Sequence, residues 1–308
     1  MKKKFLCFAA AASLVLSFVA CGGSDDNDDT PSTPQQVVFT QPVYADQAAS
    51  YVLKNPLQSE GFSLTAINIT ESGKAIIETT ESNGSKHYSS YNVTINGDEY
   101  QMKNKAGKSV GVMKKVTTRA ASVSITLTVV IELSKLGTLE FKSDDPLEVQ
   151  TVISTIAAGV NTDNIARTWK VKQMKMTLEG DVNASIIENS GNLAVLAAEA
   201  QVRGAGLTEK EMAEFDKILY GLTLDKTGLF SLEYGDGSSE ACSWTWTNSN
   251  QDQLKLSLRD SEFGNKFFGE NSTIDVKFFP GGGCQLFLVT NIMGNKNYKA
   301  TLNIAMEQ

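Results

Sequence analysis

His87 is the only histidine of the chain, so any Ser-His-Asp relay would have to be built on it. Its neighbours Lys86, Tyr88, Ser89 and Ser90 form no nucleophile context, and a polar strand beside a hairpin is the ordinary setting of a surface histidine. Asp144 and Asp145 stand next to each other ahead of Pro146. That order suits the positive end of a helix better than a pair of catalytic carboxyls. The run Gly235-Asp236-Gly237-Ser238-Ser239-Glu240 has oxygens enough to hold Ca²⁺ weakly, yet it lacks the alternation of an EF-hand loop and reads as a plain turn. Cys242 and Cys284 belong to no CxxC or Cys/His spacing. No phosphate loop, dinucleotide fingerprint or metalloprotease helix occurs. The residues capable of chemistry therefore define neither a catalytic site, a metal site nor a cofactor site, and the expectation is a non-catalytic protein.

Aromatic residues supply the remaining lead. Phe230 and Tyr234 fall on one face of a strand, and Trp244 and Trp246 on one face of the next, so they pair across the sheet. Turned into a barrel, they either fill it as core or line a pocket for a small apolar ligand. On an open face the two indoles would instead form a platform for a glycan. The same apolar alternation writes a packed core and a pocket alike, and with neither pocket nor platform the chain would be a structural or adhesive module. Met212, Phe215 and Leu219 share a face of a helix expected over 207–220, in which Thr208 and Glu211 make a capping box. They are candidates for a lid, or for a helix packed permanently on the wall.

The elements that must position these residues are mostly strands. Period-two alternation rich in Thr, Val, Ile and aromatics recurs in short runs separated by Gly, Asn, Asp and Ser. In the first half the runs are 62–70, 74–80, 86–95, 99–103, 110–117, 122–133 and 138–142, with Asn96-Gly97 as a hairpin turn. A short helix is expected over 46–54, ended by Asn55-Pro56. Asp144-Asp145-Pro146 is expected to open another helix, lined by Leu147, Val152 and Ile156 and stopped by Gly159. The second half carries a strand from Thr168 to Leu178, an Ala-rich helix over 193–201, and a meander over 228–234, 241–247, 253–258, 273–279, 284–290 and 298–306. Its turns include Gly281-Gly282-Gly283 and Gly294-Asn295. One parity of the meander is apolar, and the other carries Ser231, Glu233, Ser243, Thr245, Lys255 and Lys277. One packed and one wet face serve a barrel or a sandwich equally, and closure is favoured because it removes sheet edges.

In such a meander Cys242 and Cys284 would begin strands of opposite direction, at ends roughly 20 Å apart. A disulfide needs Cα atoms within about 7 Å, so buried free thiols are expected, while a disulfide, which an oxidising compartment allows, would require another topology. The segment Ser72-Gly73-Lys74-Ala75-Ile76-Ile77-Glu78 also echoes Thr227-Gly228-Leu229-Phe230-Ser231-Leu232-Glu233, and an ungapped match sets Tyr91 against Trp246. The echo is either a repeat or a chance likeness of hairpins.

The first 36 residues address location. Lys2, Lys3 and Lys4 precede an apolar run from Phe5 to Ala20, which is the form of a secretory signal. Ala20-Cys21-Gly22-Gly23 resembles the lipobox of bacterial lipoproteins, which implies cleavage before Cys21 and lipidation of its thiol. The acidic run Ser24-Asp25-Asp26-Asn27-Asp28-Asp29 resembles the surface-export signal of Bacteroidota lipoproteins, which implies an outer-membrane, surface-exposed protein held by its lipid. Thr30 to Gln36, with two prolines and no apolar side chain, reads as a tether. Without the three signal lysines the chain has 25 basic and 35 acidic residues, a net charge of −10. No basic block interleaves with aromatics, and phosphate neutralisation is what nucleic-acid binding needs, so nucleic acid is not an expected partner.

Arg167-Thr168-Trp169-Lys170-Val171 opens a strand, and Thr227-Gly228-Leu229-Phe230-Ser231-Leu232 with Cys242-Ser243-Trp244-Thr245-Trp246 makes a later hairpin. By these residues the second half resembles the lipocalin-like (calycin) domains of Bacteroidota lipoproteins, with Arg167 where their GxW motif has Gly. The resemblance covers roughly residues 162–308, implies a β-barrel and makes Trp169 a plug at its closed end. The expected organisation is thus a signal peptide over 1–20, a tether over 21–36 and a β-rich module over 37–143. A lipocalin-like barrel over 144–308 follows, with a helical insertion at 190–221. The expected fold class is mainly β with a few helices.

Overall fold

Pairing of the last strand with the first closes two runs of antiparallel strands into barrels. The computed structural model describes residues 36–117, 123–133, 137–257, 273–290 and 298–308. The signal, Cys21 and the tether up to residue 35 lie outside the described residues, as do Ser122, Leu258 and the Gly294-Asn295 turn.

The first barrel is formed by β1 (Ala49–Ser59), β2 (Phe62–Ile69), β3 (Lys74–Glu81), β4 (Lys86–Asn96), β5 (Glu99–Lys103), β6 (Ser109–Thr117), β7 (Val123–Leu133) and β8 (Gly137–Val152). Each strand pairs antiparallel with the next, and β8 returns to β1 with Leu53 opposite Val149. Tyr51, Leu64, Ile77, Met102, Leu127 and Phe141 fill its interior.

The second barrel begins after α1 (Val160–Ile165) with β9 (Arg167–Gly180). Next come β10 (Ala184–Glu188), α2 (Leu193–Val202), α3 (Glu209–Glu214) and β11 (Leu219–Leu224). The meander completes it with β12 (Leu229–Tyr234), β13 (Ser238–Trp246), β14 (Gln253–Ser257), β15 (Thr273–Phe279), β16 (Gly283–Thr290) and β17 (Tyr298–Glu307). β17 pairs with β9 from Tyr298↔Gly180 to Glu307↔Lys170 and closes an antiparallel eight-stranded barrel of β9 and β11 to β17. The expected barrel of the second half is therefore present. β10 lies on the same edge of β9 as β11, further along the strand. Among the described residues, no helix is long and apolar enough to cross a membrane.

Three expected helices take other forms. Residues 49–54 belong to β1, because Ala49, Tyr51 and Leu53 bury one parity against the first core; Asn55-Pro56 falls where the β1–β2 register shifts, a place that accepts a residue with no donor. Asp144-Asp145-Pro146 opens no helix. It sits in a stretch of β8 where the register with β7 shifts between Ile125 and Leu127, and the strand resumes at Leu147 to reach β1. Residues 144–152 thus complete the first barrel rather than begin the second. The helix expected over 207–220 stops at Glu214, since Leu219 to Leu224 is needed as a strand between β9 and β12.

The two barrels touch along one side. Ser238 and Ser239 of β13 pair with Ser89 and Tyr88 of β4. Ser231 and Glu233, which alternation places on the wet face, are 0% and 1% exposed because that face of β12 abuts the first barrel. Lys74 of β3 meets Glu233 there with Nζ 2.9 Å from Oε2.

Candidate functional site

The β12–β13 turn and the β3–β4 turn lie at one end of the paired barrels. The β11–β12 and β2–β3 turns lie at the other, one strand length away. Where the barrels diverge at the first end, a groove of about 1230 Å³ opens. Its floor is the short β4–β13 pairing, and its walls include Tyr88, Ser90, Asn104, Lys217, Ser239 and Glu240.

Among the described residues, three ion pairs stand in or beside this groove. Lys217 Nζ lies 2.8 Å from Glu240 Oε1, and Lys86 Nζ 3.4 Å from Glu78 Oε1. His87 Nε2 lies 3.6 Å from Glu81 Oε2, and its ring packs edge-on against Phe62. Lys105 donates to the Tyr234 carbonyl and stands over the Tyr220 ring, and burial lowers its ammonium below the usual range. Asp236 spends its carboxylate inside the turn, accepting from Ser238 N and Oγ. Ser90 Oγ and Ser239 Oγ have no hydrogen-bond partner among the described residues. The site sets hydroxyls and amides beside these charged groups.

The aromatic candidates do not form this groove. Phe230, Tyr234 and Trp244 are 1–3% exposed and belong to the core of the second barrel, with Trp246 half-buried against it. Trp244 and Trp246 are perpendicular with centroids 5.3 Å apart. Both indole N–H groups are already used: Trp244 donates to the Asp225 carbonyl and Trp246 to Thr162 Oγ1. The pair is thus no coplanar platform. Tyr234 stands at the far end of β12, where burial pushes its phenol well above the usual range, with Glu240 adding to the effect. Its ring carries Lys217 Nζ at 4.3 Å.

Of the lid candidates, Phe215 is buried and Met212 packs partly buried on the barrel core, together with Leu193, Leu196 and Ala200 of α2. Leu219 is the first residue of β11 and belongs to the wall. Trp169 is fully buried, donates to the Ile165 carbonyl and meets the Phe39 ring edge-on. Phe39 in turn donates its backbone N–H to Asn164 Oδ1. Phe39 therefore packs at the end of the second barrel opposite the groove.

The serines and tyrosines of the groove were not recognisable beforehand, because single polar residues on wet strand faces carry no spacing signal. Glu71 and Asp225, buried between the barrels at the other end, had one: they lie in the two echoing turns. Thr70 and Asp225 use the same bonds there. Thr70 Oγ1 accepts from Lys74 N and Asp225 Oδ1 from Leu229 N, both at 3.0 Å. The echo stops inside the hairpins. The Gly73 and Gly228 carbonyls accept from Val93 N and Trp244 N, so in hairpin register Trp244 is the counterpart of Val93, and Tyr91 is not matched to Trp246.

The fold and groove define a class, a tandem of two eight-stranded antiparallel barrels. No family model matches the chain, and no curated protein matches it. Among solved structures, an inhibitor of motility from Bacillus subtilis (MotI/DgrA) matches at 10% identity over 76% of this chain and 87% of that one, with a TM-score of 0.15, too low to carry an argument.

Proposed function

We propose that this chain is a non-catalytic, lipid-anchored protein of the cell envelope, held at an outer membrane through Cys21, that binds a neutral glycan in the groove between its barrels. The observation that carries the ligand class is the set of hydroxyls and amides lining the groove beside the Lys217–Glu240 and Lys86–Glu78 pairs, which suits a hydroxyl-rich, uncharged ligand better than an ion. The Bacteroidota-type signal and lipocalin-like motifs of the sequence support the location.

The test is calorimetric titration of the full chain in detergent with neutral polysaccharides, on the native protein and on Ser239→Phe, which fills the groove. Saturable binding lost in Ser239→Phe is the expected result; equal binding by both would overturn the assignment.

A second reading places a small apolar ligand inside the second barrel. It is favoured by the packing of Met212 and Phe215 against the core of that barrel. Binding of an apolar fluorescent probe that fatty acids displace, unchanged in Ser239→Phe, would select it.

A further inference from the structure

Glu71 lies in the β2–β3 turn of the first barrel and Asp225 in the β11–β12 turn of the second, and the two turns meet. Glu71 Oε1 accepts from Lys226 N at 3.0 Å, a bond from one barrel to the other. Asp225 Oδ1 accepts from Leu229 N and, at 2.6 Å, from Thr227 Oγ1. Each carboxyl has a second oxygen, Glu71 Oε2 and Asp225 Oδ2, that is buried with no hydrogen-bond partner among the described residues. Glu71 and Asp225 are 1% and 0% exposed.

The charges facing this pair do not balance two carboxylates. Arg167 at the start of β9 is buried, and its guanidinium stands over the Phe39 and Trp169 rings with Nη2 donating to the Asp163 carbonyl. Lys226 sends its ammonium to Asp163 Oδ1 at 2.7 Å. Lys74 is engaged by Glu233. Two cations, Arg167 and Lys226, thus stand among three acids, Glu71, Asp225 and Asp163, and an uncompensated buried charge is far more costly than a retained proton.

We propose that Glu71 and Asp225 retain one proton between them and that this proton latches the two barrels together. The proton neutralises the charge that Arg167 leaves uncompensated and gives the two bare oxygens one O–H donor. Burial, and then repulsion from Asp225, push Glu71 up to about 8, while burial pushes Asp225 up to about 6. The pair titrates as a unit. A folded-state value raised above the unfolded one means that the folded chain holds the proton more tightly. The latch is therefore complete in the ordinary carboxylate range and is lost as pH rises through about 8. None of this depends on what the groove binds.

The test is the thermal midpoint of the full chain in detergent at pH 6 and pH 9, for the native protein, Glu71→Gln and Asp225→Asn. Amide exchange at Thr168 and Lys226 is followed alongside and corrected for its intrinsic pH dependence. Both amides cross between barrels, Thr168 N donating to Ser72 Oγ at 2.9 Å. The native midpoint should fall by about 5 °C or more toward pH 9, with protection of both amides falling in step, while Glu71→Gln stays flat. Parallel midpoints in native protein and Glu71→Gln would overturn the shared proton. A falling midpoint with both amides still protected would overturn the latch. Should neither variant fold, infrared difference spectra of the native protein between pH 6 and pH 9 decide: loss of a protonated carboxyl band supports the proposal, and no such band refutes it.

Discussion

Lys74 Nζ lies 2.9 Å from Glu233 Oε2, and this pair joins the barrels with the carboxylate 1% and the ammonium side chain 15% exposed. Thr223 Oγ1 adds one donor to the other carboxylate oxygen at 3.2 Å. Removing one charge from such a pair leaves the other buried without compensation. Lys74→Met should cost about 3 kcal/mol of unfolding free energy, whereas Lys74→Met with Glu233→Met should return most of it, since a buried pair is often replaced by apolar residues at little cost. Urea titration of the three proteins measures both. An additive double variant would mean that the two side chains do not act on each other.

The echoing turns give a second expectation. Gly73 and Gly228 adopt φ of +77° and +90°, in the left-handed region. A Cβ on Gly73 would stand 2.7 Å from the Tyr44 ring, and one on Gly228 2.8 Å from Thr155 Oγ1. Gly84 has the same φ of +90° with nothing near it. Gly84→Ala should therefore show the backbone cost alone, about 1–2 kcal/mol, and Gly73→Ala a larger loss because Tyr44 must also move. Equal losses at both positions would show that the Tyr44 contact is without consequence.

The strands were legible wherever one face is packed and the other wet: Leu254 and Leu256 alternate with Lys255, and Ile274 and Val276 with Asp275. Alternation failed where context outweighed it. Ser231 and Glu233 carry a wet-face pattern yet are buried, because the pattern cannot know that a second barrel covers that face. Asp144-Asp145-Pro146 has the chemistry of a helix start, but the same residues tolerate a register shift in a strand whose far end is held by β1. Leu219 fits a helical face and a strand equally, and pairing with β9 and β12 decides. The aromatics were recognised as one cluster, while their role was not. Trp244 and Phe230 read alike as core or pocket, and only the placement of their neighbours separates the two.

The cysteines give the last expectation. Both are free and buried. Cys242 does not begin its strand as the sequence suggests: β13 starts at Ser238, so the thiol stands mid-strand opposite Phe230. Cys284 pairs with Met306 near the start of β16, within the field of Arg167. Burial pushes both thiols above their ordinary range, and for Cys284 the nearby guanidinium offsets part of that. The thiolate is the reactive form, and neither site exposes one. In the native protein at pH 8 neither Cys242 nor Cys284 should react with an aromatic disulfide reagent within an hour, and in 6 M guanidinium both should react at once, as followed by peptide mass mapping. If one reacts first under native conditions it should be Cys242, at 8% against 1% exposure. Preferential labelling of Cys284 would mean that Arg167 lowers its thiol more than burial raises it.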